Sequence, residues 1–88
     1  MSKLSKQTIE KIQEQILSVL YESNPHALFA NTIAKEIVRD NELVYNLLKD
    51  LKNKGLTVSV KVSKRGNKYI QRERWVLTPD TYNAYRNL

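Results

Sequence analysis

Two abrupt changes in the spacing of apolar residues constrain this chain more than any other feature. Ile33, Ala34 and Ile37 recur at helical spacing, residues 38–41 break the pattern, and Val44, Leu47, Leu48 and Leu51 resume it. Past Gly55 the period drops to two, with Leu56, Val58, Val60 and Val62 alternating with Thr57, Ser59, Lys61 and Ser63, so that one buried and one wet face are expected. Lys64-Arg65-Gly66-Asn67 carries a turn signal, and a returning strand runs over residues 68–77 with Tyr69, Ile70, Trp75 and Val76 as its apolar members. Residues 33–77 therefore spell helix, turn, helix and hairpin without a spare segment between them.

The second of these helices is expected over residues 41–54. At 100° per residue its four aliphatics fall in a narrow arc that has to pack inward. The opposite arc holds Glu42, Asn46, Lys49 and Asn53, with Tyr45 on its flank. Lys49, Lys52 and Lys54 complement the C-terminal end of the helix dipole, and Gly55 stops the helix with a positive φ. The preceding helix takes Asn31 as its cap, or starts earlier from Asn24 with Pro25 at its first position. Val38 stands near the start of the turn where glycine is usual. Its presence implies that the turn avoids a left-handed conformation or that the helix runs one residue further.

Upstream, Ile9, Ile12, Ile16, Val19 and Leu20 mark a helix over residues 6–22. Ser5 caps it, Leu4 and Ile9 occupy the staple positions, and Asn24-Pro25 ends it. Its other face, Lys6, Glu10, Lys11, Gln13 and Glu14, mixes signs and reads as solvent-facing scaffold or as part of a contact between two copies. A short strand over residues 28–30 follows. At the other end, Thr78-Pro79-Asp80 gives a capping hydroxyl, a proline at the first helical position and an acid in the first turn. Tyr82, Tyr85 and Leu88 then share one side of a last helix, facing the first helix or a second chain. Trp75 lies near the base of the hairpin and reads as a packing residue, not a base-stacking platform.

An 88-residue chain with 41% apolar residues has material for one small domain, spanning 1–88, that buries roughly 60 to 65% of its unfolded surface. It has no cysteine, so neither disulfides nor a thiolate metal site enter. The N-terminal residues lack the apolar centre of a signal peptide, and the longest apolar run, residues 27–30, is far below the ~20 residues of a membrane span. A cytoplasmic protein with no membrane partner is expected. The net charge of +6 is unevenly placed: residues 1–55 hold eight basic and seven acidic residues, a balance of +1, and residues 56–88 hold seven and two, a balance of +5. Six of those cations lie in residues 61–74, with Glu73 the one acid among them. A lysine-rich edge can serve merely to block strand pairing, but behind two helices of this kind a basic hairpin points to phosphates.

Ile33-Ala34-Lys35-Glu36-Ile37, then Val44, Leu48 and Leu51, then Lys54-Gly55-Leu56, then Trp75-Val76-Leu77-Thr78-Pro79 together resemble the winged helix-turn-helix superfamily, in the style of MarR-like and ArsR-like regulators. The likeness covers residues 6–82. It implies an α+β fold, a three-helix core with a β-hairpin wing and a short C-terminal helix, and it implies nucleic-acid binding. Carried onto this sequence, the recognition-helix positions are Asn41, Glu42, Tyr45, Asn46 and Lys49, and the wing positions are Lys64, Arg65 and Lys68. Glu42 departs from the pattern, because an acid there repels phosphate unless it accepts from a cytosine amino group.

The expected function is sequence-selective binding of double-stranded DNA by a small transcriptional regulator. Asn46 would pair with adenine, Tyr45 would meet a phosphate or a thymine methyl, and Lys49 would reach a phosphate or guanine. Lys61, Lys64, Arg65, Lys68, Arg72 and Arg74 would neutralise backbone charge. One copy reads only a few base pairs, so a homodimer through the first helix and residues 80–88 on a two-fold site is expected. Structured RNA, or a protein partner docked on the tyrosines, are the alternative occupants. No enzyme, cofactor or metal is implied: His26 is the sole histidine and sits beside a turn proline, and Gly55 and Gly66 are the only glycines.

Overall fold

The computed structural model describes residues 5–63 and 71–88 of the chain. The element order is α1 (Lys6–Ser23), β1 (Leu28–Phe29), α2 (Ala30–Ile37), α3 (Asn41–Asn53), β2 (Thr57–Ser63), β3 (Gln71–Leu77) and α4 (Pro79–Arg86). Leu4, the turn expected at residues 64–67 and the first residues of the returning strand, 68–70, lie outside the described residues. The Ser5 hydroxyl accepts from the Thr8 N–H at 3.1 Å and so starts α1 where the sequence places it. Gln13, expected on the outer face, is instead buried on the edge of the core beside Ile12, Ile16 and Leu17. The apolar stripe of α1 is wider than its aliphatic spacing shows, because three partners, α2, α3 and β3, pack against it.

The cap of α2 differs from expectation. Phe29 occupies that position with no side-chain cap, and Asn31 is the second residue of the helix, exposed. β1 pairs with β3, Leu28 opposite Trp75 and Phe29 opposite Arg74, so the chain passes from the sheet straight into the helix and leaves no position for a capping side chain between them.

Between α2 and α3, Val38 takes φ 57° and ψ 55°, the left-handed conformation that the absence of glycine argued against. The reversal requires it. The Arg39 N–H reaches back to the Ala34 carbonyl at 2.9 Å and the Val38 N–H to the Lys35 carbonyl at 3.3 Å, a pair of bonds that closes only when the residue at Val38 is left-handed. α3 ends on the same pattern, with Leu56 N–H on the Leu51 carbonyl and Gly55 N–H on the Lys52 carbonyl, both at 2.9 Å. There Gly55 holds φ 80°, as expected. The two helices thus share one stop motif, relaxed by glycine in α3 and forced by a β-branched residue in α2.

The three strands form an antiparallel sheet in the order β1-β3-β2. Opposed residues share a face, and Thr57 and Ser59 oppose Leu77 and Trp75, which are 4% and 1% exposed. This inverts the expected face of β2. Thr57 is buried, whereas Val58 and Val60 are exposed on the outer face. Burial of Thr57 is compensated, since its hydroxyl donates to the Leu48 carbonyl at 3.3 Å. The core itself joins Ile12, Ile16 and Leu20 of α1, Ile33 of α2, the four aliphatics of α3, and Trp75 and Leu77 of β3.

Thr78 fastens the C-terminal helix to this core. Its N–H donates to the Leu56 carbonyl at 3.1 Å and its hydroxyl oxygen lies 3.1 Å from the Gly55 carbonyl, while the same oxygen accepts from the Thr81 N–H at 3.4 Å to cap α4. Tyr82 and Tyr85 then close on Tyr21 of α1 with ring centroids 5.2 and 5.6 Å apart. Leu88 does not join them and is exposed.

Val38 supplies a direct test of the turn. Its side chain is 86% exposed, so little packing is lost on its removal, and a left-handed L-residue costs about 1–2 kcal/mol. Part of that gain is offset by glycine's larger unfolded-state entropy. Val38→Gly is expected to stabilise the fold by about 0.5–1 kcal/mol, read from the midpoint of urea unfolding. A lower midpoint would mean that the Val38 backbone carries no strain.

Candidate nucleic-acid interface

The orientation of α3 decides what the molecule presents. Val44, Leu47, Leu48 and Leu51 are buried, which turns Asn41, Glu42, Asn46, Lys49 and Asn53 to solvent as the periodicity requires. Asp40 caps the helix by accepting from the Leu43 N–H at 3.1 Å. Glu42 sits in the first turn, where the N-terminal dipole favours an acid, so its presence has a local reason independent of any base. Lys52 is drawn aside, donating from Nζ to the Ser59 hydroxyl at 3.2 Å across to β2.

Tyr45 is placed differently from its neighbours. It is half-buried, and its ring meets Trp75 edge-on at 6.2 Å between centroids and 76° between planes. Its hydroxyl donates to Glu73 Oε1 at 3.2 Å, and the Lys49 ammonium stands 4.8 Å from its ring centroid. The hydrogen bond to Glu73, then that carboxylate's charge, then burial raise the Tyr45 phenol above its ordinary pKa of 10.0, so it remains a donor at neutral pH. The hydroxyl expected to meet a phosphate or a thymine methyl is thus engaged within the protein.

Glu73 is the site residue that sequence reasoning missed. In the sequence it counts only as the one acid in a basic segment. The signal was its position two residues before Trp75 on the same strand, which puts both on the face of β3 that meets α3.

The described residues include part of the wing. The β2–β3 ladder runs to Ser63 opposite Gln71, with Lys61 opposite Glu73 and Val62 opposite Arg72. Lys64, Arg65 and Lys68 lie outside the described residues. Arg74 falls on the other face of β3 from Glu73 and Trp75, its guanidinium carbon 4.8 Å from the centroid of the Phe29 ring. The structure therefore gathers Tyr45 and Lys49 with Glu73, leaves Asn41, Glu42 and Asn46 exposed along the same helix, and sets Arg74 apart from them. Among the described residues no group of acidic or histidine side chains has the arrangement of a metal site, and no helix is long and apolar enough to cross a membrane.

No protein-family model matches the sequence, and no curated protein is significantly similar to it. Solved structures are similar. The chain superposes on a point mutant of MepR from a multidrug-resistant S. aureus clinical isolate with a TM-score of 0.69 and 27% identity, covering 88% of this chain and 53% of that one. The PcaV transcriptional regulator of Streptomyces coelicolor, in complex with its natural ligand, matches with a TM-score of 0.68 and 18% identity over 99% of this chain and 54% of its own. A protein of Ralstonia eutropha named as DNA-binding matches with a TM-score of 0.66 and 20% identity, over 88% of this chain and 93% of its own. The chain spans about half the length of the MepR and PcaV chains. With its helix-turn-helix of α2 and α3, its β2–β3 hairpin and these likenesses, the chain has the winged helix-turn-helix fold.

Proposed function

We propose that the chain is a sequence-selective binder of double-stranded DNA acting as a small transcriptional regulator, with α3 in the major groove and the basic wing, residues 61–74, on the phosphate backbone. The observation that carries this reading is the exposed row Asn41, Asn46 and Lys49 on a helix whose opposite side is locked into the core. Asn46 has the donor and acceptor that a bidentate contact to adenine needs, and Lys49 adds a cation that reaches a guanine or a phosphate from the same face. The excess of positive charge in residues 56–88 supplies the sequence-independent attraction. The fold shared with a named transcriptional regulator and a named DNA-binding protein supports the same reading.

Removing the neutral Asn46 leaves phosphate electrostatics unchanged. Asn46→Ala is expected to cost about 1–3 kcal/mol on a duplex selected from a random library and almost nothing on scrambled duplex. Equal losses on both, or none on either, would take base reading away from α3 and favour structured RNA, which belongs in the same titration as a third ligand.

The wing has its own signature. Changing Lys64 and Arg65 together to Ala should weaken all duplexes similarly and reduce the magnitude of the log-log salt slope by about 1 to 2. A slope that does not move removes these two side chains from the contact.

Pairing of two chains through α1 and residues 80–88 belongs to the same reading, because a two-fold site doubles the few base pairs that one α3 covers. With Tyr82 and Tyr85 engaged on Tyr21, the contact has to use Leu88 and the outer face of α1. Sedimentation at micromolar concentration is expected to show twice the chain mass, and loss of residues 80–88 to abolish that species. A monomer throughout the concentration range would assign the terminal tyrosines wholly to the intrachain core.

A further inference from the structure

One polar contact joins the recognition helix to the wing at a distance of 28 residues in sequence, the bond from the Tyr45 hydroxyl to Glu73. Tyr45 lies on α3 directly beside Asn46 and four residues before Lys49. The inner end of its ring rests on Trp75, which is fully buried and cannot yield, and the outer end is held by the carboxylate. Glu73 stands on the third rung from the end of the described ladder, opposite Lys61. Holding that rung to α3 sets the direction in which the hairpin leaves the body.

We propose that Glu73 is a positioning residue: through the Tyr45 hydroxyl it fixes the angle between α3 and the wing, so that Tyr45 is a strut between the two elements and not a contact to nucleic acid. This deepens the DNA-binding reading and rests on it for its consequence, since helix and wing have to engage one duplex together. Lys49, stacked over the Tyr45 ring, is presented to the groove by the same strut. The raised phenol pKa agrees with this geometry, because the phenolate would face the Glu73 carboxylate.

The experiment compares Tyr45→Phe, which keeps the ring and loses the hydroxyl, with Glu73→Ala, Glu73→Gln and the double variant Tyr45→Phe/Glu73→Ala. On the selected duplex, Tyr45→Phe and Glu73→Ala should each weaken binding by about three- to tenfold, the double variant should be no worse than either, and Glu73→Gln, which still accepts a hydrogen bond, should recover most of the loss. A Glu73 that acts only by its charge would give tighter binding in both Glu73→Ala and Glu73→Gln. A Tyr45 that touches DNA would give a loss in Tyr45→Phe alone. Either result overturns the proposal.

Two readouts need no DNA. Burial and the Glu14 charge raise the Tyr85 phenol as well, so ultraviolet titration should show one fewer phenol above its ordinary range in Tyr45→Phe and a lowered Tyr45 phenol in Glu73→Ala, and residual dipolar couplings should report a changed orientation of α3 against β3 in Glu73→Ala. Unchanged couplings refute the strut even if DNA is bound. A changed orientation in a protein that binds no duplex would instead refute the DNA-binding reading and leave the strut standing.

Discussion

Burial of the α3 stripe is the constraint on which the rest of the molecule depends. Val44, Leu47, Leu48 and Leu51 retain at most 4% exposure, and each such side chain contributes on the order of 1.5–3 kcal/mol when removed from water. Rotating α3 by one residue, about 100°, would bring Tyr45, with its hydroxyl, into the core and expose an aliphatic. Four anchors along about two turns make that rotation far costlier than any surface contact could offset. The exposed row on the opposite side is thereby held before any partner arrives, which is the preorganisation that a groove-reading helix needs.

Where one periodic pattern had only one solution, it could be read from the sequence alone. The outward row of α3, the buried Trp75, the positive φ at Gly55 and the Thr78-Pro79 start of α4 all follow from local chemistry. The failures share a cause, which is that tertiary geometry chose between locally equal options. Alternation in β2 shows two distinct faces but not which of them is inside. The pairing with β3 decides, because Trp75 and Leu77 have to be buried and bring Ser59 and Thr57 with them. Val38 shows the same ranking of effects. Residue preference argued against a left-handed turn, yet the bonds from Arg39 and Val38 back into α2, together with the route to α3, outweigh a local cost of about 1–2 kcal/mol.

The inverted strand also changes the character of the wing. Val58 and Val60 lie outward beside Arg74, which is stacked on Phe29, so the outer face of the sheet mixes aliphatic, aromatic and cationic groups. The inner face carries Ser59, Glu73 and Trp75 toward α3. Among the described residues, two polar contacts join this inner face to α3: Lys52 to Ser59, and Tyr45 to Glu73. Arg74 is on the far face from Tyr45, while Lys49 and Lys52 of α3 are drawn toward the junction.

Trp75 ties the stability of the core to the presentation of the interface. It is a member of the hydrophobic core, the partner of Leu28 and Ser59 in the sheet, and the surface on which Tyr45 rests. Its indole N–H is buried with no hydrogen-bond partner among the described residues. Stability and presentation are consequently not separable at this residue: a core that repacks around Trp75 moves Tyr45, and Tyr45 carries both the bond to Glu73 and the ammonium of Lys49. A change in the core at Trp75 therefore reaches Tyr45, Glu73 and Lys49 together. The exposed side chains of Asn41 and Asn46 are independent of it, because their position is set by the aliphatics on the other side of α3 and not by the indole.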